Sequence, residues 1–112
     1  MYYYTLGGLF MTFEWDERKN LLNKQKHHIS FENAAKVFLD ENRVAKYDES
    51  HSTIDEERII TIGMADDMLY VVYTERQENI RIISARLADK DECNEYYKEN
   101  DIGRYKKSST HD

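Results

Sequence analysis

The chain has 112 residues, of which 40% are hydrophobic and 34% charged, and its net charge is -6. That length holds one domain with a modest core and excludes two, while the apolar share excludes a disordered chain. One cysteine, Cys93, excludes an intramolecular disulfide and fits a reducing, cytoplasmic compartment.

Cys93 and four scattered histidines make no zinc pattern, so no metal or other cofactor is expected. The acidic excess argues against a protein that coats a long duplex. Its distribution softens that argument. Residues 41–57 and 89–101 are acid-rich, whereas residues 58–86 hold four acids and four arginines. A locally neutral stretch with well-placed arginines can grip one or two phosphates.

Residues 1–11, MYYYTLGGLFM, are too short to span a bilayer and lack the basic leader of a secretory signal. They read as an N-terminal extension, either a start upstream of the true one at Met11 or an extra edge strand. Elsewhere no hydrophobic run suits a membrane. Thr12–Trp15 reads as a short strand. Asp16 then offers an N-cap for a polar helix from Glu17 to about His27, with Leu21 and Leu22 expected to face inward. Ser30 caps a second helix, in which Phe31, Ala34, Ala35 and Phe38 recur at helical spacing through Leu39.

The period then changes. Arg43–Tyr47 fits a strand, followed by a polar loop at 48–55. Glu57–Met64, Leu69–Thr74 and Asn79–Arg86 are rich in isoleucine, valine and tyrosine, and their tight connections require antiparallel neighbours. Asp89 and Glu92 have capping-box spacing, and Cys93, Tyr96 and Tyr97 give the last helix an apolar stripe. Residues 103–112 form a polar tail expected to be disordered. The domain, residues 12–102, is therefore expected to be α+β: β-α-α, then an antiparallel meander of three or four strands, then a closing helix. With the helices packed on one face, the other face is left open for a ligand.

Arg58, Arg76, Arg81 and Arg86 border this sheet, and no lysine lies on those strands. Guanidinium groups suit bidentate phosphate binding, but the same four also fit ordinary pairs with Glu57, Glu75 and Glu78. Strict two-residue alternation puts Arg81 with Ile83 and Ala85, and Arg86 on the opposite face with Ile82 and Ser84. Tyr70 and Tyr73 read as packing residues whose rings also suit stacking on an unpaired base.

The order of residues carries more. Phe13-x-Trp15-Asp16-x-x-Lys19-x-x-x-Asn23-x-x-Lys26-His27 leads into Ser30-Phe31, with Ala34-Ala35 and Val37-Phe38 behind it. Asp48 and His51 follow, then Glu57-Arg58, Ile62-Gly63-Met64, Val71–Arg76, Arg81–Arg86 and Tyr96. This ordered set resembles the BrnT family over residues 12–97. The resemblance implies a RelE-like fold and RNA cleavage that halts translation. It also implies a ribbon-helix-helix, BrnA-like antitoxin and contact with operator DNA only through it. One departure is His28, where the family commonly has glycine.

For that chemistry the expected catalytic residues are Arg81 and Arg86 on the scissile phosphate and His27 or Glu57 moving protons. Lys19, Arg58, Arg76 and Tyr73 are the expected RNA contacts. The alternative is an inactive module of the same fold that acts only in antitoxin and operon regulation.

Overall fold

The computed structural model describes residues 4–5 and 11–100, so the polar tail at 103–112 lies outside the described residues. Among the described residues, six strands form one sheet: β1 (Tyr4–Thr5), β2 (Thr12–Glu14), β3 (Val44–Tyr47), β4 (Arg58–Met64), β5 (Met68–Arg76) and β6 (Asn79–Leu87). The helices are α1 (Glu17–His27), α2 (Phe31–Ala35) and α3 (Lys90–Asn100). The expected single helix through Leu39 tightens after Ala35 into a 3-10 turn at Lys36–Leu39. There Val37 meets β4 so closely that a Cβ on Gly63 would lie 3.2 Å from its own Cβ.

The spatial order is β1-β2-β6-β5-β4-β3. The last four strands in sequence pair antiparallel, β4–β5 and β5–β6 as their short connections require and β3–β4 across the longer loop at 48–57. However, β2 runs parallel to β6 and β1 antiparallel to β2, so the sheet is mixed and not a plain antiparallel meander. The β2–β6 pairing joins residues more than sixty positions apart, which no local turn signal reports.

The helices also do not share one face. Phe31, Ala34, Val37 and Phe38 pack with Phe13, Leu69, Val71, Ile80, Ile82 and Ala85 in the main core. Each large apolar side chain buried there contributes roughly 1.5–3 kcal/mol. On the opposite face, Tyr96 and Cys93 of α3 pack on Ile60, Ile62 and Met68. Asp89 and Glu92 form the expected reciprocal cap: each side chain accepts the other's backbone N–H, at 2.8 and 2.9 Å. Thus α3 covers only the part of the second face near the β4–β5 turn.

Helix α1 turns a polar stripe inward. Leu21 and Leu22, expected to be buried, are 51% and 56% exposed, while Asn20 and Asn23 are buried. Asn20 accepts from the Phe31 N–H and so fixes the start of α2. Asn23 donates to the carbonyls of Ile29 and Ala85 and accepts from the Ala85 N–H. Since β2 ends at Glu14, β6 has a bare edge beyond Arg81, and the Asn23 amide takes the place of a neighbouring strand there. Satisfying backbone outranks burying leucine at this edge.

His28 ends α1 in the left-handed region, with φ 62° and ψ 26°, and its N–H donates to the Lys24 carbonyl at 2.9 Å. A side chain in this conformation carries a backbone penalty that glycine does not. His28→Gly is expected to stabilise the fold by about 0.5–1 kcal/mol, the relief being partly offset by the freer unfolded chain. A higher urea midpoint with unchanged slope would show it; a lower one would mean that the imidazole makes a compensating contact.

Candidate active site

The arginines lie together because β6 is bulged. Val72 pairs with Ser84 but Tyr73 pairs with Ile82, so Ile83 is an extra residue. Arg81 pairs with Thr74 and Arg86 with Tyr70, and those partners are four apart on β5. Paired residues share a face. Both arginines therefore point to the second face, against the simple alternation that separated them. Arg58 also pairs with Thr74, which makes one row of Arg58, Thr74 and Arg81 across three strands. At about 4.8 Å per strand, the two arginines of that row are rooted roughly 10 Å apart. This spacing lets two long guanidinium side chains converge on one phosphate.

Each arginine is oriented by a carboxylate. Glu14, on β2, is 5% exposed and lies 3.8 Å from the Arg81 guanidinium. Arg58 Nε is 3.4 Å from Glu56. Arg86 donates twice to Glu92 of α3, both at 2.8 Å, and once to the Leu87 carbonyl. Its guanidinium also stacks 3.8 Å over the Tyr70 ring. The Glu92 hydrogen bonds raise the Arg86 pKa, and the Arg86 hydrogen bonds in turn hold the Glu92 carboxyl below its ordinary value.

A depressed carboxyl pKa stabilises the fold above the ordinary value and loses that contribution as pH falls through the depressed one. Urea midpoints are therefore expected to fall as pH drops below 4.5, the ordinary value for Glu92, and to fall less in Glu92→Gln. An equal fall in both proteins would show that the pair adds nothing.

The other expected residues are dispersed. Tyr73 is only 7% exposed and meets Phe38 edge-on at 5.0 Å, so its ring is core and has no face for a base. Lys19 is exposed on α1, whose Asn23 stripe abuts the β6 edge. His27 sits one helical turn beyond Asn23, toward the Leu87 end of β6. Glu57 is exposed and precedes β4, at the other end of the sheet. His27 and Glu57 thus do not meet at one phosphate. Arg76 and Glu57 line an open groove of about 290 Å³ with Asp55, Glu56 and Glu75. Thr74, the middle of the row, borders the same groove, but four carboxylates around the Arg76 guanidinium make this part of it a poor phosphate site. Among the described residues, no three His, Cys, Asp or Glu side chains converge as metal ligands.

Alternation alone could not find the row, and the site's polar loop at 48–52 had no distinguishing signal beyond Asp48 and His51. Comparison with known proteins agrees with the residue order. The family model described as "Ribonuclease toxin, BrnT, of type II toxin-antitoxin system" matches residues 15–92. The chain belongs to the BrnT family.

It is thus a ribonuclease toxin of a type II toxin–antitoxin system, the class for which an antitoxin is the defining partner. No curated protein matches the sequence. The fold is similar to the 1.1 Å crystal structure of the Brucella abortus ribonuclease toxin BrnT, with TM-score 0.54 and 24% identity. That match covers 73% of this chain and 100% of the Brucella chain. The arginine row of this chain lies beyond the residues on which α3 packs.

Proposed function

We propose that this BrnT-family toxin cleaves RNA without a metal, using the substrate's own 2'-hydroxyl as nucleophile. The observation that carries the reading is the shared face of Arg58, Arg81 and Arg86 created by the β6 bulge. The transition state of such a cleavage gathers negative charge on the non-bridging phosphate oxygens. Preorganised donors aimed at that charge contribute about 10²–10³-fold each. Arg81 and Arg58 are rooted to reach one phosphate from two sides. Its three donations, two to Glu92 and one to the Leu87 carbonyl, leave Arg86 with further N–H groups among its five, enough to hold the same phosphate or the next one. Lys19, exposed on α1, would follow the strand on one side, whereas Arg76 stands among four carboxylates and is given no such role.

A kinship with RelE-like toxins belongs to the same reading, as do a cytoplasmic setting and neutralisation by a ribbon-helix-helix antitoxin that covers the arginine face. Operator DNA would be reached only through that antitoxin. Among the described residues, no helix is long and apolar enough to cross a membrane.

Expression in a bacterial host tests the reading in cells. Growth arrest that a co-expressed ribbon-helix-helix antitoxin relieves supports it, and normal growth with abundant folded protein counts against it. With purified protein, the salt dependence of RNA binding should correspond to a few phosphates. A slope like that of an extended duplex binder would contradict it.

A further inference from the structure

At the end of the arginine row stands a loop that carries a carboxylate and an imidazole. Tyr47 pairs with Ile59, so the next residue, Asp48, lies opposite Arg58, and its N–H donates to the Arg58 carbonyl at 2.9 Å. Ser52 closes the loop: its hydroxyl donates to the Asp48 carbonyl at 2.7 Å and accepts from the Arg58 N–H at 2.8 Å. Residues 48–52 are thereby tied to the first residue of β4. The row then reads Asp48, Arg58, Thr74, Arg81, Glu14 across five strand positions.

Inside that loop, the Asp48 carboxylate meets His51 Nδ1 at 3.0 Å and accepts from the Ser50 hydroxyl at 2.9 Å. Burial alone would raise the Asp48 pKa, but hydrogen bonds from His51 and Ser50 outweigh it and the carboxyl lies below its ordinary value. An ionised carboxylate only accepts, so the proton of a neutral His51 ring sits on Nδ1 and Nε2 is the acceptor. The His51 side chain is 67% exposed, so its ring is open to a substrate, while Asp48 is 13% exposed and held in place. A carboxylate that fixes the tautomer of an exposed imidazole, beside a row of guanidinium groups, is the arrangement a general base needs.

We infer that His51 is the general base of the cleavage and that Asp48 is its positioning residue. The inference rests on the proposed 2'-hydroxyl chemistry and gives it an atom. Nε2 of His51 takes the proton from the 2'-hydroxyl, the 2'-oxygen bonds to phosphorus, and the P–O5' bond breaks. The 5'-oxygen takes a proton from water, and the imidazolium returns its own to water. The products are a 2',3'-cyclic phosphate and a 5'-hydroxyl. Neither Glu57, among carboxylates before β4, nor His27, at the far end of β6, is joined to the row in this way. The charged residue that contacts His51 is Asp48; the loop and the first residue of β4 also carry Glu49, Asp55, Glu56, Glu57 and Arg58.

The test is single-turnover cleavage of an end-labelled RNA oligonucleotide by the full chain in EDTA, from about pH 5 to 9. Wild type, His51→Ala, Asp48→Asn and Arg81→Lys are compared, each checked for a native circular dichroism spectrum. His51→Ala is expected to lose roughly 10²–10⁴-fold and the acidic limb of the pH profile, and to regain part of the rate with added imidazole. Asp48→Asn should lower the single-turnover rate at saturating enzyme, with the half-saturating enzyme concentration nearly unchanged. A wild-type rate for His51→Ala, or a lower rate with the same pH profile and no imidazole rescue, overturns the assignment. If Arg81→Lys is impaired in that same run, the arginine-row reading survives its loss. Absence of cyclic-phosphate ends in the wild-type products overturns both.

Discussion

Arg81→Lys is expected to slow RNA cleavage by about 10²-fold with the fold intact. Simple truncation is a poor test here, because Glu14 is buried and Arg81 is the cation 3.8 Å away. Removing the guanidinium would leave a buried carboxylate uncompensated, which typically costs 3–5 kcal/mol, and loss of activity would then be confounded with loss of fold. A lysine keeps the charge for Glu14 but lacks the planar fork that holds two phosphate oxygens at once. Losing one such donor set is worth about 10²–10³-fold. Single-turnover rates beside a thermal melt separate the two effects. A wild-type rate for the folded variant would remove Arg81 from the site.

The second large effect concerns Asn23. Its side chain makes three hydrogen bonds in a buried setting: to the Ile29 carbonyl, the Ala85 carbonyl and the Ala85 N–H. Asn23→Ala leaves all three backbone groups without that partner, at about 1–3 kcal/mol each. Water entering the vacated space would recover part of this, so about 3–5 kcal/mol is expected. Against a total stability of roughly 5–15 kcal/mol this is a large fraction. At about 4–8 °C per kcal/mol the melting temperature should fall by tens of degrees. A drop of only a few degrees would mean that the β6 edge does not depend on α1.

These two residues also show where the sequence is legible. The Phe31–Phe38 spacing, the N-caps at Asp16 and Ser30, and the Asp89–Glu92 box are local signals, and each one appears in the structure. The features that build the site are not local. Ile82-Ile83-Ser84 gives no cue that one residue is extra, yet that bulge decides whether Arg81 and Arg86 share a face. The parallel β2–β6 pairing that delivers Glu14 to Arg81 joins distant segments. Leu21 and Leu22 mislead because hydropathy ranks them above Asn20 and Asn23, whose amides complete backbone that α1 alone cannot reveal. Asp48 and His51 are visible in the sequence only as members of a family pattern. Their contact with each other, and their link through Ser52 to Arg58, emerge once β3 and β4 are paired.

The most direct test of the account is the chemistry of the ends made by the purified protein in EDTA. RNA cleaved by the full chain should carry 2',3'-cyclic phosphate on one fragment and 5'-hydroxyl on the other, and chelation should not change the rate. Cleavage that requires an added divalent cation, or that leaves 5'-phosphate ends, would contradict a 2'-hydroxyl attack on a phosphate held by the arginine row.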